Sequence, residues 1–527
     1  MNSEPSFGKV RSLLWPIHRF ELKRLVPLFF LYALICFNYN ILKIEKDSLV
    51  ITAVGSGAEA LPFLKVWGIL PMALLTMFIF TKLFNRFSQE KVFYIMTGGF
   101  LSFFLVFISL LYPLRDTIHP HALADRIQTY LPQGFSGLIA LFRNWPYTLF
   151  YIMSELWGTA IMSVLFWGFV NEISSIKDAK RFYGILLVGA NLATIGSAKL
   201  TRFFTSHVAY SSWMPSLAPE EKTTTLTVVA VTLVALLAIA LFRWYHVAVV
   251  AKDPSLKFHH IPHVPRTNKT KMGLRKSFSF IAKSPYLIFI AVVVIAFYLT
   301  NHMTEVIWKD QVKRFYPDPT SFKAYTANVH LTIGILSAIT GLFFCGPLIR
   351  RLGWTLNALM TPLIMFVTGF FFFAIIIWKD APTLHRYTSF IGLSPLALGV
   401  LFGTIQNILS RGCKYTFFDA TKEIAFIPLS RESKLKGKAA IDGIGSRLGK
   451  SGGAILQQGL LVIFGSISAT VPIVALLLLV VTLGWVSATQ ALGRRFNRIT
   501  SESEATPEVE GSGTPLTDSP SGTKATI

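Results

Sequence analysis

Charged residues are scarce in this sequence. Asp, Glu, Lys and Arg make up only 15% of its 527 residues, whereas soluble globular proteins contain about 25%. Acidic residues are the scarcer kind, with 27 Asp and Glu against 50 Lys and Arg, a formal net charge of +23. The low charge excludes a large soluble protein and favours a membrane protein. The positive excess has two compatible explanations: cytoplasmic loops rich in Lys and Arg, or a cavity that attracts an anion.

Cysteine is also rare, and no metal site is predicted. The three cysteines lie far apart in or beside apolar segments, and their odd number argues against a disulfide framework. The histidines near position 260 stand in a Pro-rich basic stretch and are interpreted as part of a solvated linker. No paired nucleophile and base or metal-ligand cluster is evident, so we expect neither an enzyme nor a cofactor. The start of the chain lacks a cleavable signal peptide, because Pro16 interrupts it before any long apolar run.

Long apolar runs dominate what is present. A bilayer-spanning helix needs about 20 largely apolar residues, and twelve stretches qualify. We therefore predict an all-α membrane protein with about twelve transmembrane helices. The predicted spans are 25–45, 62–85, 92–113, 146–172, 182–203, 224–246, 280–303, 327–347, 354–378, 391–418, 437–465 and 470–492.

The distribution of Lys and Arg predicts the orientation and the domains. They concentrate in the N-terminal segment, in every second connection and after the last span, which places both termini in the cytoplasm. The tail is rich in Ser, Thr, Pro, Gly and Glu and is predicted to be disordered. The predicted parts are a cytoplasmic N-terminal segment (1–24), a six-helix half (25–246), a basic cytoplasmic linker (247–279), a second six-helix half (280–496) and the tail (497–527).

The two halves resemble each other in sequence. FWGFVNEI (166–173) matches FFDATKEI (417–424), and the first and seventh spans align Asn38 with Asn301. Parallel six-helix repeats are the architecture of major-facilitator transporters, which bind substrate between the halves near the bilayer midplane. The sequence therefore predicts a major-facilitator-like fold with a central site.

Three charged residues in or at the end of apolar spans are candidates for function, because a charge there is costly unless it faces a cavity or a partner. Glu155 is the strongest candidate, because it lies about nine residues inside the fourth span. Lys46 ends the first span and could equally be an interfacial lysine. Glu305 has Lys309 four residues later, so a simple helical ion pair is an alternative.

Cations and aromatic residues alternate around the tenth span. Arg411, Lys414 and Asp419 lie among Phe and Tyr residues. Such a mixture suits a purine ring and its phosphates, and it equally suits a helix end that dips into lipid headgroups.

The stretch GIGSRLGKSGGA (443–454) looks at first like a phosphate-binding loop of a soluble ATPase. That loop requires glycine five residues before Gly449, and the residue there is isoleucine. As a membrane helix, the stretch places small residues every four positions, which lets a neighbouring helix pack closely. Arg447 and Lys450 would lie on an adjoining face and bind an anion. The stripe of small residues consists of Gly445, Gly449 and Gly453.

Several runs closely resemble one family, the non-mitochondrial ATP/ADP translocases of plastids and of chlamydial and rickettsial intracellular bacteria. They are EKDSLVITAVGSGAEALPFLKVWGILPMALL (45–75), SELWGTAIMSVLFWGFVNEI (154–173), KYTFFDATKEIAFIPL (414–429) and KGKAAIDGIGSRLGKSGGA (436–454). The resemblance implies a twelve-helix antiporter of the bacterial inner membrane that imports ATP in exchange for ADP, with phosphate accompanying ADP in some members. It also implies four transport residues: Lys46, Glu155, Glu305 and Lys450.

The resemblance leaves other transport modes open. A proton-coupled or broader-specificity nucleotide importer, or a transporter of another organic phosphate or of phosphate, would use the same fold. No nucleic-acid partner is expected, because the orientation rule accounts for the basic linker. The sequence gives no oligomeric state.

The mechanism expected at this stage is competition between phosphates and carboxylates. Lys46 and Lys450, helped by Arg447 and Lys414, would neutralise phosphates. Glu155 and Glu305 would hold the empty halves together through ion pairs, so that only a loaded carrier moves. The candidates for hydrogen bonds to adenine are Asn191, Asn301 and Asp419.

Overall fold

The computed structural model describes residues 17–505 except 175, 253–280, 283, 344, 391, 430–432, 434–436, 439–440 and 442–444. All regular secondary structure in the described part is helical. We number its twelve long helices α1 to α12. They are α1 (Leu22–Ile51), α2 (Ala60–Arg86), α3 (Gln89–Leu111), α4 (Trp145–Ile173), α5 (Ile176–Phe203), α6 (Pro219–Val250), α7 (Pro285–Phe315), α8 (Pro319–Phe343), α9 (Cys345–Ile377), α10 (Pro395–Ala425), α11 (Ser446–Phe464) and α12 (Ile467–Ala505).

Nine helices of the described part are long and apolar enough to cross a membrane. They are α1 to α7, α9 and α12. A tenth span results only if α10 is joined to the short helix Pro382–Phe390, across an 80° bend. The chain is thus an all-α, multi-pass integral membrane protein, and a count of twelve spans stays a prediction.

Helices α8 and α11 occur where spans were predicted, but they are not long and apolar enough to count as membrane-spanning helices. Each carries polar side chains: α8 contains Lys323 and His330, and α11 contains Lys450 and Gln457. Lys323, His330 and Gln457 are buried. A helix that turns polar groups toward the protein interior needs fewer apolar residues than one surrounded by lipid.

Helix packing repeats between the two halves of the chain. In the first half α1 packs against α4, α5 and α6, and in the second half α7 packs against α10, α11 and α12. Contacts between the halves join α1, α5 and α6 to α8, and join the beginning of α2 to α11. This arrangement places α1 and α7 at the centre, where the sequence repeat predicts a substrate site.

Three central helices contain short π-helical stretches, which are frequent at functional sites. In α2 the stretch is Leu64–Ile69, in α4 it is Gly158–Phe166, and in α10 it is Lys414–Phe418. Two of them begin three residues after a charged side chain, Glu155 in α4 and Arg411 in α10. In the alignment of the two halves the wider turns of α4 and α10 overlap, at 163–166 and 414–417.

Two predicted boundaries need correction. The tail was predicted to start at residue 497, but α12 continues to Ala505, because the basic and polar residues after the span remain good helix formers. The linker was predicted to start at 247, but α6 continues to Val250. Residues 1–16, 253–280 and 506–527, which include most of the predicted linker and tail, lie outside the described residues.

Candidate functional site

Four consecutive polar residues near the end of α1 are buried in the protein. Glu45, Lys46, Asp47 and Ser48 are each no more than 3% exposed. Successive residues of a helix point about 100° apart, so these side chains reach different neighbouring helices. The candidate site is built around them, and the interfacial alternative for Lys46 is wrong.

Lys46 forms an ion pair with Glu155 of α4. Its ammonium also lies 3.9 Å from the centre of the Tyr151 ring, one turn earlier on α4. Both helices belong to the first half. The structure thus brings together two residues that the sequence predicted separately.

Asp47 and Glu305 are linked through Lys309 of α7. The Lys309 ammonium lies 2.8 Å from an Asp47 oxygen and 3.0 Å from a Glu305 oxygen. Glu305 also accepts a hydrogen bond of 2.9 Å from Arg411 of α10, which is held by Asn407 at 2.9 Å. The predicted pair of Glu305 with Lys309 is confirmed, and it is one part of a larger chain of charges.

Glu45 connects α1 to the start of α8. Its carboxylate accepts hydrogen bonds of 2.8 Å from both Lys323 and Thr224. Ser48 donates to the main-chain oxygen of Pro319 at 3.1 Å. We call this end of the bundle, where α1 and α7 end, the outer end.

Neither Glu155 nor Glu305 forms an ion pair directly across the halves in the described part of the chain. Glu155 pairs with Lys46 inside the first half, and Glu305 pairs with residues of the second half. Among the described residues, the ion pairs between halves are those of Glu45 with Lys323 and of Asp47 with Lys309. The reason is helical register, since the residues beside Lys46 point away from α4.

Helix α11 packs its glycines against α7, as the stripe predicts. A β-carbon added to Gly449 would lie 2.9 Å from the Ile295 carbonyl oxygen, and one added to Gly453 would lie 3.2 Å from the His302 ring. This close approach brings Lys450 to 4.9 Å from the centre of the Tyr298 ring. Lys450 also interacts electrostatically with Glu155. The side chain of Arg447 lies outside the described residues.

Lys65 of α2 reaches across the interface between the halves. Its ammonium lies 2.6 Å from Nδ1 of His302 on α7. It interacts electrostatically with both Glu155 and Glu305. Sequence reasoning missed Lys65, although a lone lysine near the start of a predicted span was a usable signal.

The secondary candidates do not form one group. Asn301 accepts a hydrogen bond of 3.1 Å from Ser410, next to Arg411. Lys414 pairs with Asp419 at 2.9 Å, one turn further along α10. Asn191 is half-buried in α5 and forms no hydrogen bond with any described residue. Of these candidates, only Asn301 is thus linked to the surroundings of Glu305, because its partner Ser410 precedes Arg411, which donates to Glu305.

The charged side chains at the centre interact as one group, which we call the central cluster. It contains six cations and three carboxylates, so it carries an excess of three positive charges. Lys450 is exposed and the other members are buried or half-buried, and an excess of charge in a partly desolvated region is unfavourable without a counter-ion. The arrangement is therefore suited to bind a multivalent anion. The members are Lys43, Lys46, Lys65, Lys309, Arg411, Lys450, Asp47, Glu155 and Glu305.

A polar cleft of about 920 Å³ lies just beyond the outer end. Arg115, His119 and Lys323 are among the residues that line it. Arg115 forms an ion pair with Glu221. Burial lowers the pKa of His119 to about 4, so this imidazole is neutral at ordinary pH. Burial also raises the pKa of Glu59, which lies between α1 and α2.

Comparison with known proteins identifies the family. A family model described as TLC ATP/ADP transporter matches residues 1–496. The chain is 42% identical to ADP,ATP carrier protein 1 of Chlamydia trachomatis, over 94% of this chain and 92% of that protein. It is 39% identical to ADP,ATP carrier protein 2 of Chlamydia pneumoniae, over 95% and 94%. It is 37% identical to the chloroplastic ADP,ATP carrier protein 1 of Arabidopsis thaliana, over 93% and 76%. The chain belongs to the TLC ATP/ADP transporter family.

Proposed function

We propose that this protein exchanges ATP for ADP across a membrane by alternating access, without hydrolysis. The observation that carries the proposal is the central cluster, which lies between the halves and has three positive charges in excess. ADP and ATP differ by one phosphate and about one charge, so both fit such a site. The names of the chlamydial and plastid relatives, ADP,ATP carrier proteins, support the same substrates.

Lys46, Lys450, Glu155 and Glu305 are the residues that we propose to carry transport. Lys46 forms an ion pair with Glu155, and Lys450 interacts electrostatically with the same carboxylate. A phosphate group entering here would compete with Glu155 for both cations, because phosphate oxygens accept the same charge-assisted hydrogen bonds. Binding of the phosphate group and rearrangement of these ion pairs then occur together.

The two ion pairs between the halves supply the gate in this proposal. Glu45 with Lys323 and Asp47 with Lys309 close the outer end. Glu155 and Glu305 each lie about ten residues from the outer end of their helix, or about 15 Å deep. Nucleotide at the central cluster would draw Lys309 away from Asp47. An empty carrier keeps the pair and stays closed, which makes exchange obligatory.

The sequence and the family support a proposal for the membrane and for the direction of transport. We propose the bacterial inner membrane, with both termini cytoplasmic, two six-helix halves and a basic cytoplasmic linker between them. The outer end then faces away from the cytoplasm. In this orientation the carrier would import ATP and release ADP, and the concentration gradients would drive the exchange.

Uptake of labelled ATP into proteoliposomes tests the proposal. Vesicles preloaded with ADP should take up ATP at least tenfold faster than empty vesicles. Lys450→Gln should abolish the uptake, and Lys91→Gln, at an exposed lysine of α3, should leave it unchanged. Absence of stimulation by internal ADP would contradict exchange, and normal uptake by Lys450→Gln would contradict the site.

A second set of uptake measurements tests the alternatives, which are proton-coupled transport and transport of other organic phosphates or of phosphate. Unlabelled nucleotides, sugar phosphates and inorganic phosphate are added outside ADP-loaded vesicles, with and without an imposed pH gradient. ATP and ADP should compete strongly with labelled ATP, sugar phosphates and other nucleotides should not, and inorganic phosphate should compete only weakly, at millimolar concentration. Equal competition by a sugar phosphate, or uptake that requires the pH gradient, would instead favour the alternatives named from the sequence.

A further inference from the structure

One cation of the central cluster has no hydrogen-bond or ion-pair partner in the part of the chain that the structure describes. Lys43 of α1 is half-buried, and it forms no hydrogen bond or ion pair with any described residue. Lys46, one turn further along the same helix, forms an ion pair with Glu155. A buried ammonium without a hydrogen-bond acceptor is costly, so a ligand is expected to supply one.

The surroundings of Lys43 are also positively charged. Its strongest electrostatic neighbour is the guanidinium of Arg411, followed by Glu305. That carboxylate is already shared by Arg411 and Lys309. Asp47, the next nearest carboxylate, is held by Lys309 at 2.8 Å. Each acid is thus already paired with another cation, and the second oxygen of Asp47 is buried without a hydrogen-bond partner among the described residues.

A third polar group from α8 completes this region. His330 interacts electrostatically with both Lys43 and Arg411. Its Nδ1 lies 2.9 Å from the carbonyl oxygen of Thr326, and its Nε2 is buried without a hydrogen-bond partner among the described residues. Because Nδ1 donates to the carbonyl, Nε2 is available to accept a hydrogen bond from an acidic hydroxyl such as P–OH.

We propose that Lys43, Arg411 and His330 form a second anion subsite, which binds one phosphate group. It takes groups from α1, α8 and α10, whereas the first subsite uses Lys46 and Lys450. Lys43 and Lys46 are three residues apart, which is about 4.5 Å along the helix axis. A single polyphosphate chain therefore reaches both subsites.

The second subsite gives Lys43 a role in selecting the substrate. This role rests on the proposed exchange of ATP and ADP. The longer chain of ATP engages both subsites, and the shorter chain of ADP engages the first. The phosphate group in the second subsite is then the terminal phosphate of ATP; free inorganic phosphate has the same chemistry.

Lys43→Gln in the full-length protein tests the subsite. Arg411 is a poorer choice, because its removal leaves the Glu305 carboxylate with one partner fewer. Apparent affinities for ATP and ADP are measured separately, as KM for uptake into ADP-loaded vesicles and as the ligand concentration that raises the melting temperature in detergent. We expect the affinity for ATP to fall about tenfold and that for ADP to fall less than threefold. Lys43→Arg should retain both affinities.

Three outcomes would overturn the subsite while leaving the exchange function standing. They are an equal loss of affinity for ATP and ADP, no loss for either nucleotide both with and without added phosphate, and a ligand-free melting temperature below that of the original protein. The last would assign Lys43 a structural role. Failure of the original protein to exchange nucleotides would instead contradict the proposed function.

Inorganic phosphate distinguishes the two sources of the group. If the subsite holds the terminal phosphate of ATP, phosphate at millimolar concentration should compete with ATP in the original protein and should cease to do so in Lys43→Gln. If it holds free phosphate, phosphate should raise the affinity for ADP, and Lys43→Gln should remove that increase. Either result supports an anion subsite. No effect of phosphate on either nucleotide in the original protein, together with normal ATP binding by Lys43→Gln, would refute it.

Discussion

The ion pairs at the outer end and those in the interior differ in what they connect. Glu45 with Lys323 and Asp47 with Lys309 join the two halves. Lys46 with Glu155 and Arg411 with Glu305 each join two helices of one half. All four pairs involve buried or mostly buried side chains. Their roles in a transport cycle nevertheless have to differ.

A pair between the halves must break whenever the outer end opens, so its strength contributes to the barrier for opening. A pair within one half can persist while the halves move, so its cation stays positioned for substrate. The outer pairs therefore control the rate of opening, and the interior pairs control binding. Substitutions at the two places should have distinguishable effects.

The largest expected effect is at the interior pair. Lys46→Gln leaves the Glu155 carboxylate, whose side chain is 35% exposed, without the cation that pairs with it. We expect exchange of ATP for ADP in proteoliposomes to fall more than 100-fold. Lys46→Gln combined with Glu155→Gln should recover stability in detergent and fail to recover exchange. If Lys46→Gln exchanged nucleotides within twofold of the original rate, the interior pair would not control binding, and its contrast with the outer pairs would not hold.

A large effect on the accessibility of the outer end is expected at the pair of Glu45 with Lys323. Lys323→Met leaves Glu45 without its cation and should favour opening of the outer end. Ser48, which is 1% exposed, can report this as Ser48→Cys in a protein whose three native cysteines are replaced by Ala. We expect an impermeant maleimide, added outside, to label it at least tenfold faster in Lys323→Met.

The matched control for the outer pair is Lys222→Met. Lys222 is equally buried at the same end of the bundle, and its ammonium donates to the Ser211 carbonyl oxygen. Labelling should stay at the original rate in this variant. Equal labelling in both variants would mean that general loosening, and not the Glu45 pair, controls access.

A moderate effect is expected where α11 meets α7. A β-carbon at Gly449 would lie 2.9 Å from the Ile295 carbonyl oxygen, whereas one at Gly452 would meet nothing within 4 Å. Gly449→Ala should therefore destabilise the protein by about 1–3 kcal/mol through overpacking, and it should displace Lys450. Gly452→Ala should be neutral. Melting temperatures and ATP affinities of the two variants check this, and similar values for both would contradict the close packing.

The smallest expected effect is at His119, in the cleft beyond the outer pairs. Its pKa is about 4 in the folded protein, below the ordinary value of 6.5. Between these values the unfolded chain binds more protons than the folded one, so stability should rise from pH 4 to pH 6.5 and then level off. His119→Asn should flatten this rise and leave melting temperatures between pH 7 and pH 8 unchanged. An unaltered slope below pH 6.5 would show that other groups cause it.

The sequence predicted the helices better than their contacts. Hydrophobic runs located all twelve long helices of the described part, and the glycine spacing predicted the packing of α11. Lys46 and Glu155 stood out as charges in apolar runs. Their pairing could not be predicted, because 109 positions separate them and only the packing of α1 against α4 brings them together.

Other members of the site were missed for a related reason. Lys43, Asp47 and Lys65 lie near the ends of predicted spans, where a charge usually reaches water or headgroups. In the structure these ends fold inward against the opposite half. The position of a span end relative to the other half depends on contacts between the halves, which a single sequence does not encode locally.

The buried run Glu45, Lys46 and Asp47 also limits how this chain can change. Each residue has a partner on a different helix, and one inserted or deleted residue upstream in α1 would turn all three by about 100°. Every pair, in the gate and in the binding site, would then be mismatched at once. Single substitutions here can be compensated one pair at a time, but a shift of register cannot. Helix α1 should therefore tolerate changes of residue and no change of length.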